Sequence, residues 1–375
     1  MPEKEYELYG KMPNIVFPSG AFIEKEKLHL FYVGADSVCC ATTYNLKDVI
    51  SNILEKNSNV FSLKRFNKNP ILEPKAENEW EARSTINAGA IYENGKVHLL
   101  YRAESPNFIS ALGYASSKNG FDIDERLNHP VYVPQYDFEK NDRGQYYGCE
   151  DPRLVKIGSK IYMFYTAFNG LQEPRVALTS IEKKDFIQKK WKWSKPYLVS
   201  DSPISNKDAC IFPEKIKGKY LAIHRINNYG MDLLYSKDLN FSKEKMNSEN
   251  NWIIPRKGKW DSEKVGLNGP PIKTKDSWLI LYHGISEIDS AYRLGAMLTD
   301  LKTPEKIIAR TENPIFEPIT TYEKNGNVPN VVFSCGNVLI GKTLFVYYGA
   351  ADKVLGVATC SLAKLIKEIK RSMEE

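Results

Sequence analysis

The chain has 375 residues, 42% of them hydrophobic, enough for a packed core in one large all-β domain or two smaller ones. Its formal net charge of +6 is spread along the chain without a Lys/Arg block or a basic helix, which argues against a nucleic-acid partner. The opening stretch lacks the apolar core of a signal peptide, no run approaches a transmembrane span, and the six cysteines show no C-x-x-C spacing, so the expectation is a cytoplasmic protein with reduced thiols and no membrane partner.

One phrase recurs six times in chain order: a polar-opened strand, a tight turn, an aromatic strand and a third alternating strand. The copies begin at Pro13, Ile86, Cys149, Lys207, Leu267 and Pro329, as in "INAGAIYENGKVHLLYRA" and "CEDPRLVKIGSKIYMFYTAF". The turns "ENGK" (93–96), "IGSK" (157–160), "IKGK" (216–219) and "TKDS" (274–277) supply Gly, Asn or Asp where hairpins need positive φ. Pro-bounded pieces follow: "NPILEP" (69–74), "HPVYVP" (129–134), "NWIIP" (251–255) and "NPIFEP" (313–318). Proline cannot donate to a ladder, so these read as outer edge strands. A repeat of roughly fifty to sixty residues made of short strands predicts an all-β propeller with one copy per blade.

The chain's two ends are related. Residues 13–54 align without a gap to 329–370, and about a third of the positions are identical. Both stretches finish in an amphipathic helix pattern, Leu46, Val49, Ile50 and Ile53 against Leu362, Leu365, Ile366 and Ile369. The C-terminal copy lacks its own outer strand, and "NPILEP" could supply it. That predicts a five-bladed propeller over 65–375 with an N-terminal blade-like repeat module at 1–64; a six-bladed ring is the competing count.

Polar residues open and close the innermost strands. Asn87, Glu150, Asp151, Lys207, Asp208, Asn268 and Asn330 open first strands, and Arg102, Arg225, His283 and Asp352 end second strands. Unpaired charges on strands buried between blades are costly, so the set reads either as structural ion pairs or as a pocket where blades converge. Two carboxylates among several cations favour the pocket. His29, His98 and His129 occupy positions suited to packing, so no metal site and no cofactor are expected.

The blocks "YGCEDPRLVKI", "KDACIFPEKIKGKYLAIHR", "WDSEKVGLNGPPIKTKDSWLILYHG" and "VPNVVFSCG…YYGAAD" resemble those of glycoside hydrolase family 130, in that family's order, over about 65–375. The resemblance implies a β-mannoside phosphorylase or β-mannosidase on a five-bladed propeller. It makes Asp151 the catalytic acid, assisting departure of the leaving sugar through a hydroxyl of the mannose. It makes Asn87, Arg102, Lys264 and Asp352 the residues that hold the mannosyl unit. Lys207, Arg225 and His283 match three basic positions that bind inorganic phosphate, the co-substrate. The first of these is often Arg in the family; Lys keeps the charge and loses the bidentate fork.

The chemistry of the residues fits a phosphorylase, which needs an acid and a cationic cradle, whereas an inverting hydrolase needs a second carboxylate as base. Strand alternation turns Glu150 away from Asp151, and Glu214 and Glu263 are the other base candidates, so hydrolysis stays open. A non-catalytic carbohydrate-binding propeller is the reading from another class. The expected partners are a β-mannoside oligosaccharide and phosphate; a homo-oligomer stays open.

Overall fold

In the computed structural model, residues 2–50, 61–200, 203–241, 243–247 and 249–371 are described, and their regular structure is mostly antiparallel β-strand with a few short helices. Contacts divide the chain into two compact units, Met1–Phe61 and Ser62–Glu375. No helix among the described residues is long and apolar enough to cross a membrane.

The first unit is a single sheet of β1 (Val16–Glu24), β2 (Lys27–Gly34) and β3 (Val38–Asn45), in that order, preceded by the short helix α1 (Glu5–Leu8). Residues 46–50 are helical, and Ile53 of the expected amphipathic helix lies outside the described residues.

The second unit holds five meanders. The first runs β5 (Ser84–Glu93), β6 (Lys96–Glu104), β7 (Ile109–Ser117) and β8 (Glu125–Arg126), after the two-residue strand β4 (Lys64–Arg65). The second is β9 (Tyr147–Ile157), β10 (Lys160–Phe168), β11 (Arg175–Glu182) and β12 (Tyr197–Leu198). The third is β13 (Asn206–Ile211), β14 (Tyr220–Ile226) and β15 (Gly230–Ser236). The fourth comprises β16 (Lys264–Leu267), β17 (Ile272–Lys273), β18 (Trp278–Ile285), β19 (Tyr292–Thr299) and β20 (Ile307–Arg310). The fifth is β21 (Val332–Ile340), β22 (Thr343–Ala350) and β23 (Val354–Ser361), and its outer strand is β4.

The Pro-bounded pieces do lie at outer edges, but each makes one isolated bridge and not a strand. The bridges are Leu72 to Leu355, Tyr132 to Leu112, Ile253 to Met231 and Phe316 to Leu294. Proline at one or both ends removes donors that would lengthen the ladder.

Neighbouring meanders share cores. Ala88, Leu99 and Tyr101 of the first pack with Val338, Tyr347 and Leu355 of the fifth. Leu100, Leu112 and Tyr114 of the first pack with Leu154, Met163 and Ala177 of the second. Phe164, Phe212, Ile223, Trp278 and Ile280 join the second, third and fourth. Tyr292 of the fourth packs on Phe333 and Cys335 of the fifth.

One irregularity recurs at the inner ends. The β5/β6 register slips between Ile86 and Gly89, the β9/β10 register between Glu150 and Arg153, and the β13/β14 register between Lys207 and Cys210. At each bulge one residue takes left-handed backbone: Asn87 (φ 50), Asp151 (φ 53) and Asp208 (φ 53). Asn and Asp tolerate this conformation better than other side-chain-bearing residues, which is why they occupy the step. The slip breaks the period-two alternation, so consecutive residues can serve one cavity.

The join between β4 and the fifth meander is locked by charge. Arg65 Nε lies 2.7 Å from Glu323 Oε1 and its Nη2 lies 2.9 Å from Oε2. Glu323 is fully buried and also accepts from the Ile319 and Thr320 amides and the Tyr348 hydroxyl. Arg65→Ala would strand that carboxylate, and the expected loss is about 3 kcal/mol of unfolding free energy. Urea denaturation checks this; a loss below roughly 1 kcal/mol, the level of an exposed pair, would show that the strand is held by packing alone.

Candidate active site

The three bulges and the start of the fifth meander border a cavity of about 210 Å³. Asn87, Arg102, Asp151, Lys207, Arg225 and Asp352 all line it, together with Asp208, Tyr292 and Phe333. Six of the eight residues singled out in the sequence are therefore brought together. Lys264 stands beside it, with Nζ 5.4 Å from the Tyr292 ring centroid. Burial and the nearby Arg225 lower its ammonium pKa.

Asp151 is held from two sides. Its Oδ1 accepts from Asn87 Nδ2 at 2.8 Å and lies 3.5 Å from Arg102 Nη1. Arg102 is fixed by Ser110 Oγ on Nε at 2.9 Å, and its Nη2 reaches Glu150 Oε1 at 3.2 Å and Glu104 Oε1 at 3.4 Å. The expectation that Glu150 turns away from Asp151 is corrected here. The bulge places Glu150 between Arg102 and Lys207, whose Nζ is 3.3 Å from Glu150 Oε2. Burial raises its proton affinity, but these two cations outweigh burial and hold the carboxyl below its ordinary value.

One wall of the cavity holds a buried carboxylate, Asp208. Arg153 Nη2 meets its Oδ1 at 2.9 Å, and Arg225 Nε lies 3.1 Å from Oδ2. Burial opposes ionisation, yet Arg225 and Arg153 keep this carboxyl far below the usual range. Arg153, the arginine of "EDPR", also donates to the Asn268, Leu267 and Asp151 carbonyls. Neither Asp208 nor Arg153 was given a role from sequence; the available signal for Arg153 was an Arg two residues after the acid on the same strand.

His283 does not share the cradle's wall. It is fully buried, with Nδ1 3.1 Å from Asn268 Oδ1 and Nε2 3.5 Å from Asp208 Oδ2. Its ring sits 4.5 Å from that of Phe333. Burial pushes its pKa down to about 3 despite Asp208, so it is neutral at pH 7. Of the three basic positions that the resemblance implies, His283 is kept uncharged by burial, and Asp208 and Glu150 already face Arg225 and Lys207. His283 reaches Asp208 because Gly266 is opposite it; a Cβ there would stand 2.5 Å from Asp208 Oδ2 and the His283 ring.

The remaining base candidates do not line the cavity. Glu214 pairs with Lys273 at 2.6 Å with both side chains about half exposed, and Glu263 is exposed. His224, at the same step as the third bulge, is buried, bonds to Asn206 and is pushed down to about 4 by burial. Among the described residues no cluster of three His, Cys, Asp or Glu is placed to hold a metal ion. Asp352 is half-buried, and loss of hydration pushes its carboxyl up to about 6, Arg102 opposing and Asp151 reinforcing the shift.

Comparison with known proteins agrees with the blocks read in the sequence. The profile of glycoside hydrolase family 130, described as beta-1,4-mannooligosaccharide phosphorylase, matches residues 1–56 and 62–371. A 1,2-beta-oligomannan phosphorylase from Thermoanaerobacter sp. (strain X514) is 42% identical over 324 residues, covering 83% of this chain and all of the relative. A beta-1,2-mannobiose phosphorylase of the same organism is 42% identical over 319 residues, 82% of this chain and 99% of the relative. The solved Listeria innocua beta-1,2-mannobiose phosphorylase, in complex with beta-1,2-mannobiose, has a TM-score of 0.69 at 28% identity, covering 82% of this chain and 99% of that one. With its family blocks in order and these matches across both chains, the protein belongs to glycoside hydrolase family 130.

Proposed function

We propose that this chain is an inverting β-mannoside phosphorylase, acting on a terminal β-mannoside and inorganic phosphate at the cavity around Asp151. The observation that carries the reading is one of composition. Asp151 shares its cavity with Lys207 and Arg225, while the glutamates that could serve as a hydrolytic base are either clamped by cations (Glu150) or exposed and not part of its lining (Glu214, Glu263). The names of the 42%-identical relatives support a β-1,2-linked mannoside.

In the proposed reaction a phosphate oxygen attacks the anomeric carbon, the glycosidic C–O bond breaks, and the leaving oxygen takes a proton relayed from Asp151 through a mannose hydroxyl. The products are α-mannose 1-phosphate and the shortened acceptor. Asn87, Arg102, Asp352 and Lys264 hold the mannosyl unit. Lys207 and Arg225 receive phosphate, and His283 contributes as a neutral support for Asp208 and so for Arg225. A five-bladed propeller over 65–375 is the architecture we infer. Its support is the cyclic order of shared cores, first with second, through third and fourth, to fifth and back to first. Residues 1–64 form a separate blade-like module in this reading, and no cofactor takes part.

Hydrolysis is the second reading, favoured by one neighbour. A solved family member with a TM-score of 0.71 and 25% identity, covering 81% of this chain and 95% of that one, is described among glycoside hydrolases that target beta-1,2 mannosidic linkages in Candida mannan. Free mannose released from β-mannobiose at the same rate with and without phosphate would replace the phosphorylase reading by this one.

Three outcomes are expected. Asp151→Asn loses roughly 10²–10⁴-fold in kcat with folding unchanged, as removal of a general acid does; a large fall in Tm with residual turnover would instead make Asp151 a structural partner of Arg102. Lys207→Ala raises the apparent KM for phosphate by roughly 10- to 150-fold, the range of a charge-assisted contact, with much less effect on mannoside KM. Initial rates against phosphate concentration, with mannose 1-phosphate assayed directly, decide it. The third concerns Asp352, whose carboxyl loses its proton as pH rises through about 6. Only the carboxylate accepts two hydroxyl hydrogen bonds, so kcat/KM for the mannoside rises through that pH, and Asp352→Asn abolishes the inflection. Because this folded-state pKa is raised, the same titration lowers stability as pH climbs from the ordinary carboxyl range to about 6.

A further inference from the structure

The first unit repeats the last sheet of the second in backbone detail. Val16 pairs with Gly34 as Val332 pairs with Ala350, Gly20 with Phe31 as Gly336 with Tyr347, and Lys27 with Asn45 as Thr343 with Ser361. The register slips at the same step, Pro18/Gly20 and Ser334/Gly336. Left-handed residues also match: Asn14, Ala35 and Asp36 at φ 62, 47 and 52, against Asn330, Ala351 and Asp352 at 60, 46 and 48. The two sheets can therefore be compared residue by residue.

On the last sheet the edge of β23 is occupied. Lys64 and Arg65 pair with Thr359 and Ala358, and the Asn69 side chain bonds both the N–H and the C=O of Val357. Arg65 forks onto Glu323, which the Ile319 and Thr320 amides and the Tyr348 hydroxyl also bind. On the first sheet the same receptor is present. Glu7 Oε2 accepts from the Glu3 and Lys4 amides at 2.7 and 3.0 Å, and Oε1 accepts from the Tyr32 hydroxyl at 2.7 Å. Those bonds hold its carboxyl down at about 2, the Glu3 amide foremost. Among the described residues no arginine completes the fork, and no strand lies beside β3. The space is a groove of about 440 Å³, lined by Tyr6, Glu7, Val16, Leu30, Tyr32 and Tyr44 among others.

We propose that this groove and the free edge of β3 are a strand-docking site for a partner polypeptide. The occupant is an extended segment with an arginine for Glu7 and, four residues on, an Asn-Pro pair whose asparagine caps Ala41 as Asn69 caps Val357. The chemistry is edge-strand addition, with main-chain bonds giving affinity and the buried carboxylate selecting the arginine. A second copy of this chain is the weaker occupant, because its only such segment, residues 62–72, is engaged on its own β23 and could fill the groove only by leaving that edge bare.

The test uses the full chain and a fluorescein-labelled peptide of residues 62–74, read by anisotropy. The expected result is saturable one-to-one binding, weakened roughly 10-fold or more by Arg65→Ala in the peptide or Glu7→Gln in the chain. Ala41→Pro, which removes an outward N–H without touching Glu7, is expected to weaken it independently. No saturable binding, or binding indifferent to both chain variants, overturns the proposal. A dimer of the chain alone that Glu7→Gln dissociates in sedimentation would give the groove to a second copy and overturn it equally.

Discussion

The bulge at the inner end of the strands is the constraint on which the site depends. A regular strand presents alternate residues to opposite faces, so "Glu-Asp" and "Lys-Asp" could each offer only one charge to a cavity. Left-handed backbone at Asp151 and Asp208 removes that limit, and Asn87 does the same one meander earlier. Lys207 and Asp208 consequently both line the cavity, and Glu150 reaches Arg102 and Lys207 although it adjoins Asp151 in sequence. The bulge turns a strand pair into a source of charges on both sides of a small space, and shared cores between neighbouring meanders hold three such bulges in register.

Much of this was legible in the sequence because turns and edges have a local chemistry. Gly95, Gly158 and Gly218 all take positive φ in their hairpins, as the turn residues implied. The pairing of the start of the second unit with β23 follows from a C-terminal repeat with no outer strand of its own. The bulges were not legible by the same reasoning, since alternation assumes they are absent. Their trace is present only as Asn or Asp at one step of successive repeats. The state of His283 was illegible for a different reason. A histidine at a strand end can face water or core, and here Gly266 on the paired strand and Phe333 of the next meander leave it a dry place against Asp208.

The same comparison separates duplication from equivalence. Phe17 matches Phe333, and Phe31 matches Tyr347, yet within the described chain the first pair is exposed at 65% and 44% while the second is buried. The side chains changed little; what differs is that the second pair is covered by other sheets of its own unit. Asp36 keeps the backbone of Asp352 but is exposed, whereas Asp352 lines the cavity. A sheet's backbone geometry is thus encoded locally, but the environment of its side chains depends on the sheets packed around it.

Charge balance explains how such a cavity can take an anion without being strongly basic. Arg102, Arg153, Lys207 and Arg225 are opposed by Glu150, Asp151 and Asp208, and Asp352 joins the anions only as pH passes about 6. Unpaired cations would repel one another and bind any passing anion; fully paired ones would bind none. Arg225 is faced by Asp208, with Nε 3.1 Å from Oδ2, and it also lines the cavity. Lys207 lines the cavity too, and its single ammonium group must be shared between Glu150 and whatever enters. On the phosphorylase reading the incoming phosphate therefore meets two cations that already have carboxylates beside them. It draws Lys207 partly away from Glu150, whose charge Arg102 continues to balance, and Glu150 stays ionised and a poor base throughout.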